Sequence, residues 1–173
     1  MSNRLEAARV AACTLRGTQL SPWLVGKAGR WPYWSGERLE GLRSNEVFVF
    51  GSNRAGRHGR GAALEAVRRY GARYGLGEGL AGQSYALPTK GERLEVLSLV
   101  QIGVHVGRFQ AFAARRSDLR FFVSEVGCGL AGYEPGAIAP LFEGSPSNVV
   151  LPGRFVDVLM APMDGVLAWR EGG

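Results

Sequence analysis

The stretch Val47-Phe-Val-Phe-Gly-Ser-Asn-Arg-Ala-Gly-Arg-His-Gly-Arg-Gly-Ala-Ala63 decides the fold. Residues 47 to 50 are wholly apolar, as expected of a strand covered on both faces. The strand runs directly into a loop of glycine and arginine, and that loop opens a helix. Ala62, Ala63, Ala66, Val67, Tyr70 and Tyr74 make an apolar stripe at helical spacing, with Gly75 as the predicted stop. Glycine lets backbone come close to a ligand and reach positive φ. The unbonded N–H groups of a first helical turn, at the positive end of its dipole, attract an anion. A phosphate-bearing small molecule is therefore the expected guest.

Outward from this segment, strands and helices alternate. A Gly-rich connection over residues 76 to 82 leads to a short strand at 84 to 87, which Pro88 is expected to stop. Ile102, Val106, Phe109 and Ala113 recur at helical spacing, and the segment from Arg115 to Asp118 closes that helix. A third strand at 119 to 124 precedes the loop Gly127 to Tyr133, and Pro135 opens a short helix through Phe142. Residues 148 to 151 read as a fourth strand, and the apolar tail at 155 to 169 as one more. Alternation of this kind implies an α/β layered domain. Ligands of such sheets sit beyond the carboxyl ends of the strands. The loops at 51 to 61, 88 to 91 and 127 to 133 each follow a strand, so they are expected to line one rim.

Residues 1 to 45 form a separate N-terminal extension, expected to pack on the domain spanning 46 to 173. It holds a weak helical pattern at residues 5 to 15, then Trp23, Trp31, Tyr33 and Trp34 among prolines and glycines. That composition reads as irregular structure, either a flap on the main domain or an aromatic platform for a base.

Composition narrows the function classes. At 173 residues and 46% hydrophobic content the chain suits one ordinary domain and not a disordered one. The net charge is +6, and Lys27 and Lys90 are the only lysines among 21 basic residues. Arginine suits phosphate because its planar fork donates two hydrogen bonds at once. Nucleotide and nucleic acid both remain open on charge alone, although Arg68, Arg69 and Arg73 read most simply as a solvated helix face. Cys13 and Cys128 are the only cysteines, which fits a reducing compartment. With no apolar run of membrane-spanning length and no secretory h-region, a cytoplasmic location is expected. His58, His105 and Cys128 match no zinc spacing, so no metal and no cofactor is expected.

The glycine loop is neither a P-loop, since no Gly-Lys-Ser/Thr follows, nor the dinucleotide fingerprint, since Gly56, Gly59 and Gly61 reverse its spacing. In combination with two further motifs it gains specificity. Asn53 before Gly59-Arg-Gly61, then Leu87-Pro-Thr-Lys90, then Val126-Gly-Cys-Gly-Leu-Ala-Gly132 resembles the macrodomain superfamily. Within it the chain is similar to the branch of terminal ADP-ribose glycohydrolases and antitoxins that remove ADP-ribose from DNA. It also resembles a macrodomain-like family of phage and bacterial proteins. The likeness spans about residues 46 to 152.

The resemblance implies a three-layer α/β/α fold with a mixed sheet, binding ADP-ribose or a related NAD-derived nucleotide, free or on a macromolecule. It assigns ligand contacts to Phe50, Gly51, Ser52 and Asn53, the last beside the distal ribose. It adds His58, Gly59, Arg60 and Gly61 in the first phosphate-side loop, and Thr89 in the second motif. Gly127, Cys128, Gly129, Leu130, Ala131, Gly132 and Tyr133 form the loop that wraps the diphosphate. Lys90 matches the lysine that attacks the anomeric carbon, a role that needs neutral amine. Where the branch carries an aspartate as acid/base, this chain has Ala131, so Glu134, or Glu125 ahead of the loop, is the expected proton-handling carboxylate. Loss of the aspartate favours an alternative, a binding or sequestering protein without catalysis. A basic nucleic-acid-binding domain is the third reading.

Overall fold

The computed structural model describes Trp23–Leu24, Tyr33–Trp34, Leu39 and residues 41–161. Seven strands form one mixed sheet: β1 (Trp23–Leu24), β2 (Tyr33–Trp34), β3 (Glu46–Asn53), β4 (Gly79–Ala81), β5 (Ser84–Lys90), β6 (Arg120–Val123) and β7 (Val149–Pro152). Their order across the sheet is β1-β2-β7-β6-β3-β5-β4. The neighbours from β2 to β5 run parallel, and the two outermost pairs are antiparallel. Among the described residues four helices accompany them: α1 (Gly61–Tyr70), α2 (Leu99–Arg115), α3 (Pro135–Ile138), continued by a 3-10 turn at Ala139–Phe142, and α4 (Gly153–Leu159).

The period-two alternation of the strands sorts their side chains onto two cores. Val47 and Val49, with Phe121, Val123, Val149 and Leu151, face α2, α3 and α4 and pack against Ile102, Val106, Phe109 and Phe155. Phe48 and Phe50, with Phe122 and Val150, face α1 and meet Ala63, Ala66 and Tyr70. Helices therefore cover both sheet faces, which is why β3 could be wholly apolar. Each fully buried Val, Ile or Phe of this set contributes about 1.5–3 kcal/mol. The α2 stripe read from the sequence, Ile102, Val106, Phe109 and Ala113, is completely buried. Its first turn is fixed by a capping box in which Ser98 accepts from Gln101 N–H and the Gln101 side chain returns to Ser98 N–H.

Four expectations need correction. Helix α1 stops at Gly71, not Gly75: Gly71 adopts a left-handed φ of 76°, and the Ala72 N–H returns to the Ala66 carbonyl at 3.1 Å. Tyr74 thus leaves the stripe and is 61% exposed. Pro88 does not end β5, because β4 has already finished opposite Ala86 and the strand continues as a sheet edge, where a missing N–H is tolerated. The Gly-rich connection hides β4, a three-residue edge strand too short and glycine-bound to show a period. The tail begins as helix α4 rather than a strand; seven residues make barely two turns, too few for periodicity to separate the two.

Trp34 and Leu39, from the predicted extension, are buried in the α1-side core, and the Trp34 indole donates to the Val123 carbonyl at 2.7 Å. The helical pattern at residues 5 to 15, Trp31 and the part of the tail beyond residue 161 lie outside the described residues. Among the described residues no helix is long and apolar enough to cross a membrane.

Candidate functional site

Three strand-to-helix connections converge at the carboxyl ends of β3, β5 and β6. They enclose a cleft of about 510 Å³ lined by Gly51, Ser52 and Asn53, by Gly59, Arg60 and Gly61, by Thr89 and Lys90, and by Gly127, Gly129, Leu130 and Ala131. The loops carrying Arg60 and Leu130, far apart in sequence, thus share one cavity, as the position of the strands requires. β3 pairs with both β5 and β6, so the ends of all three strands lie side by side. At Gly51, between them, a Cβ would meet Thr89 Oγ1 at 3.5 Å and Gly127 N at 3.6 Å, so all three strand ends lie within contact of this residue.

Two sets of backbone donors face this space. Helix α1 has Arg60 at its N-cap with no side-chain cap and no acidic residue in its first turn, and Gly61, Ala62 and Ala63 line the cleft. Across from it, the loop after β6 is shaped by Gly127 at φ 81°, by the Gly132 N–H bonding to Gly129 O at 2.9 Å, and by the Tyr133 N–H bonding to Gly127 O at 3.0 Å. Those bonds leave the amides of Gly129, Leu130 and Ala131 without a protein acceptor among the described residues. Successive free amides in a turn form an anion-binding concavity, and an uncapped helix start forms another.

The side-chain charges agree. Arg57, Arg60 and Lys90 line the cleft, and none of their charged side-chain groups has a hydrogen-bonded or ion-paired partner among the described residues. The one carboxylate on the wall, Glu125, is held by Arg154 at 2.7 Å. A cationic, amide-rich cavity of this size can hold the diphosphate of a nucleotide-type ligand.

Several of the expected contact residues have other work. Asn53 clamps its own loop: Oδ1 accepts from Arg57 N–H at 2.9 Å while Nδ2 donates to Arg57 O at 2.6 Å. Its amide is thereby committed to fixing the backbone of Arg57 on the cleft wall. The Ser52 hydroxyl donates to the Gly77 carbonyl, and Thr89 Oγ1 to the Ser52 carbonyl at 3.3 Å. Phe50 and His58 are fully buried and do not line the cleft. Phe50 falls on the α1-facing side of β3, and His58 packs edge-on against it with ring centroids 5.2 Å apart. The His58 Nε2 bonds the Leu76 carbonyl at 3.1 Å, so this histidine staples the loop to the following turn. Cys128 and Tyr133 pack against the opposite core, and the tyrosine hydroxyl donates to Leu97 O at 2.8 Å. Gly132 serves the turn rather than the cavity wall. Glu134 is exposed at the residue before α3 and does not reach the cleft wall, because the loop carries it past the rim before the helix begins.

The structure adds Arg57, Ala62, Ala63, Leu94, Ser124 and Val126 to the wall. Ser124 was accessible to the rule that ligands meet strand ends, since it directly follows β6. Leu94 had no sequence signal, because it enters from a hairpin whose strand pairing begins at Lys90 and Val96. A neighbouring hollow of about 470 Å³ on the other side of α1 shares Gly61, Ala62 and Ser124 with the cleft. Two of its charges, Glu65 and Arg69, bridge each other at 3.2 Å, so it lacks the concentrated positive field of the cleft.

No family model, no curated protein and no solved structure matches this chain. Among the described residues no group of three or more His, Cys, Asp or Glu side chains could hold a metal ion.

Burial, with Glu125 as a lesser cause, pushes the Cys128 thiol up to about 11. A thiol so raised holds about a hundredfold less thiolate at neutral pH than an ordinary cysteine. In a Cys13→Ser background, iodoacetamide is therefore expected to label Cys128 very slowly at pH 7.5, with the rate climbing until about pH 11. Rapid labelling at neutral pH contradicts that environment.

Proposed function

We propose that this chain is a macrodomain-like, three-layer α/β/α module whose cleft binds ADP-ribose or a closely related NAD-derived nucleotide. The observation that carries the reading is the convergence of two amide-donating turns, at Gly61–Ala63 and Gly129–Ala131, with three side-chain cations that have no partner among the described residues, Arg57, Arg60 and Lys90. The ordered motifs around Asn53, Lys90 and Gly127 supply the ligand identity by resemblance. Helices on both faces of a mixed sheet agree with the expected architecture.

Binding without turnover is the better-supported form of this activity. A glycohydrolase needs a group to exchange protons at the scissile bond. Ala131 cannot, Glu134 lies off the cleft wall, and Glu125 is tied to Arg154. One observation favours the catalytic reading: Lys90 lines the same cleft as Glu125, and its amine has no competing partner among the described residues. In that reading the Lys90 amine attacks the anomeric carbon and Glu125 handles protons. The modified macromolecule, protein or DNA, leaves with the glycosidic oxygen or nitrogen and a proton, and water then cleaves the Lys90–ribose bond to release ADP-ribose and restore the amine.

Isothermal titration with ADP-ribose tests the proposal. Saturable heat at submillimolar ligand is the expected result, and silence with ADP-ribose, AMP and NAD at millimolar concentration overturns it. Lys90→Ala divides the two forms: a binder keeps affinity within about tenfold, as for one exposed charge–phosphate contact, whereas a glycohydrolase loses release of ADP-ribose from a modified protein or oligonucleotide. A nucleic-acid-binding domain would instead show affinity falling steeply with salt. Arg68 and Arg69 on α1, and Arg73 just beyond it, are solvent-exposed, and Arg69 is bridged to Glu65, as a solvated face would be.

A further inference from the structure

His58 and His105 are the two histidines of the chain, and both fasten the same pair of backbone segments. The loop after β3 lies against the stretch 75–78 that leads to β4. Gly77 comes so close to it that a Cβ there would stand 2.6 Å from both the Asn53 and the Arg54 carbonyl oxygens. The Gly75 N–H donates to Gly56 O at 3.0 Å, and the Ser52 hydroxyl donates to Gly77 O. His58 adds a bond from Nε2 to Leu76 O at 3.1 Å. His105 reaches in from α2 and stands between Arg54 and Glu78. Its Nε2 is 3.3 Å from the Arg54 guanidinium and its Nδ1 is 2.9 Å from the Glu78 carboxylate.

These partners dictate where the protons sit. A carbonyl only accepts, so His58 carries its proton on Nε2. Its Nδ1 is left buried, with no hydrogen-bond partner among the described residues. The rings packed against it, Phe50 and Tyr74, are 5.2 and 5.8 Å away between centroids. A carboxylate accepts and a guanidinium only donates, so His105 carries its proton on Nδ1 and receives Arg54 on Nε2. Both imidazoles are therefore neutral in this arrangement. A second proton on His58 would make a fully buried N–H without an acceptor. A second proton on His105 would set donor against donor and cation against cation at Arg54. Glu78 holds the imidazolium in that case, so Arg54 is the group that leaves. The remaining neighbours keep their charge across the acidic range. Arg108, bonded to Glu78 at 3.2 Å, stays cationic. Tyr85 stays neutral, since burial and then Glu78 push its hydroxyl up to about 12.

We infer that the two histidines form a proton-sensitive clasp on the loop after β3. Neutral imidazoles hold this loop onto residues 75–78, and proton uptake by either one loosens it. The clasped loop binds two protons fewer than the open one, so falling pH favours opening. Histidine is the side chain whose charge ordinarily changes between about pH 5 and 8, which sets the range of the switch. The loop carries Arg57 on the cleft wall, so acid loosens that wall whatever ligand the cleft takes. The inference stands on the loop's own anchors and is independent of the ADP-ribose reading.

The test needs no ligand. Amide hydrogen exchange of Arg54, Gly56, Arg57 and Gly75, corrected for intrinsic rates, is compared at about pH 7.5 and about pH 5.5. The proteins are wild type, His58→Gln, His105→Gln and the double variant; glutamine donates and accepts as neutral imidazole does but takes up no proton. One imidazole freed by opening, with the ordinary value of about 6.5, shifts the opening equilibrium about tenfold over this interval. Protection is therefore expected to fall about a hundredfold in wild type, about tenfold in each single variant, and by less than about twofold in the double variant. Unchanged protection in wild type overturns the inference. An undiminished fall in the double variant also overturns it, because the titrating group then lies elsewhere. Should the double variant fail to fold, the single variants decide, and a wild-type response in either overturns the clasp.

Discussion

Gly129→Glu is expected to weaken ADP-ribose binding by a hundredfold or more while leaving the fold intact. Gly129 is exposed, has no positive φ, and a Cβ there would meet nothing within 4 Å, so the substitution is sterically free. The new carboxylate would stand among the amides of Gly129, Leu130 and Ala131, where a diphosphate is to be held. Two like charges about 4 Å apart repel by about 1 kcal/mol in water and about 4 kcal/mol at the effective dielectric of a protein surface. The middle of that range corresponds to about a hundredfold in Kd. Titration of wild type and variant, with matched thermal melts, checks it. Gly136→Glu is the control: Gly136 is equally exposed and unencumbered, but it lies in α3 off the cleft wall. Equal binding by wild type and Gly129→Glu would remove the loop after β6 from the site.

The second large effect concerns the opposite wall. Gly56→Ala is expected to destabilise the protein by about 3 kcal/mol or more, lowering Tm by about 6–12 °C. Gly56 has φ 66°, and a Cβ there would lie 2.5 Å from Gly75 C and 2.6 Å from Leu76 N, both backbone atoms that cannot swing aside. Its own N–H and C=O bind Asn53 O at 2.9 Å and Gly75 N at 3.0 Å. Displacing Gly56 would therefore disturb the Asn53–Arg57 clamp and shift Arg57 in the cleft. Calorimetric unfolding measures the loss, and an unchanged Tm would mean that the loop takes another path. Gly61→Ala is a useful comparison, since Gly61 shares the positive φ (57°) but has open space around its Cβ. It should cost only the conformational part, about 1–2 kcal/mol.

The sequence made the sheet legible where burial was two-sided. Residues 47 to 50, 121 to 123 and 149 to 151 are apolar runs because helices press on both faces, and uninterrupted hydrophobicity is a signal that needs no long window. The α2 stripe was equally plain, since seventeen residues give several repeats of the helical period. Elements whose existence depends on a partner were hidden. β4 exists because β5 offers an edge, and β5 passes Pro88 because nothing claims its far side there.

The site follows the same division. Strand-end placement brought the three loops together, and glycine at 127 and 132 announced the turn that frees the amides. Side-chain commitments could not be read in advance. Whether Asn53 addresses a ligand or its own loop, and whether His58 looks outward or into Phe50, depends on which sheet face or turn is nearest in space. Leu94 was invisible for a further reason: its backbone angle contradicts its residue type.

The strand order bears on how the polypeptide emerges from a ribosome. β1 and β2 are synthesised first, yet β2 joins the sheet through β7, which ends at Pro152. The early aromatic strands must therefore wait, unpaired with the sheet, until β7 has been translated. Meanwhile β6 presents an uncovered apolar edge. A nascent chain stalled before Val149 would expose both, making it a natural target for chaperones and a poor candidate for C-terminal trimming.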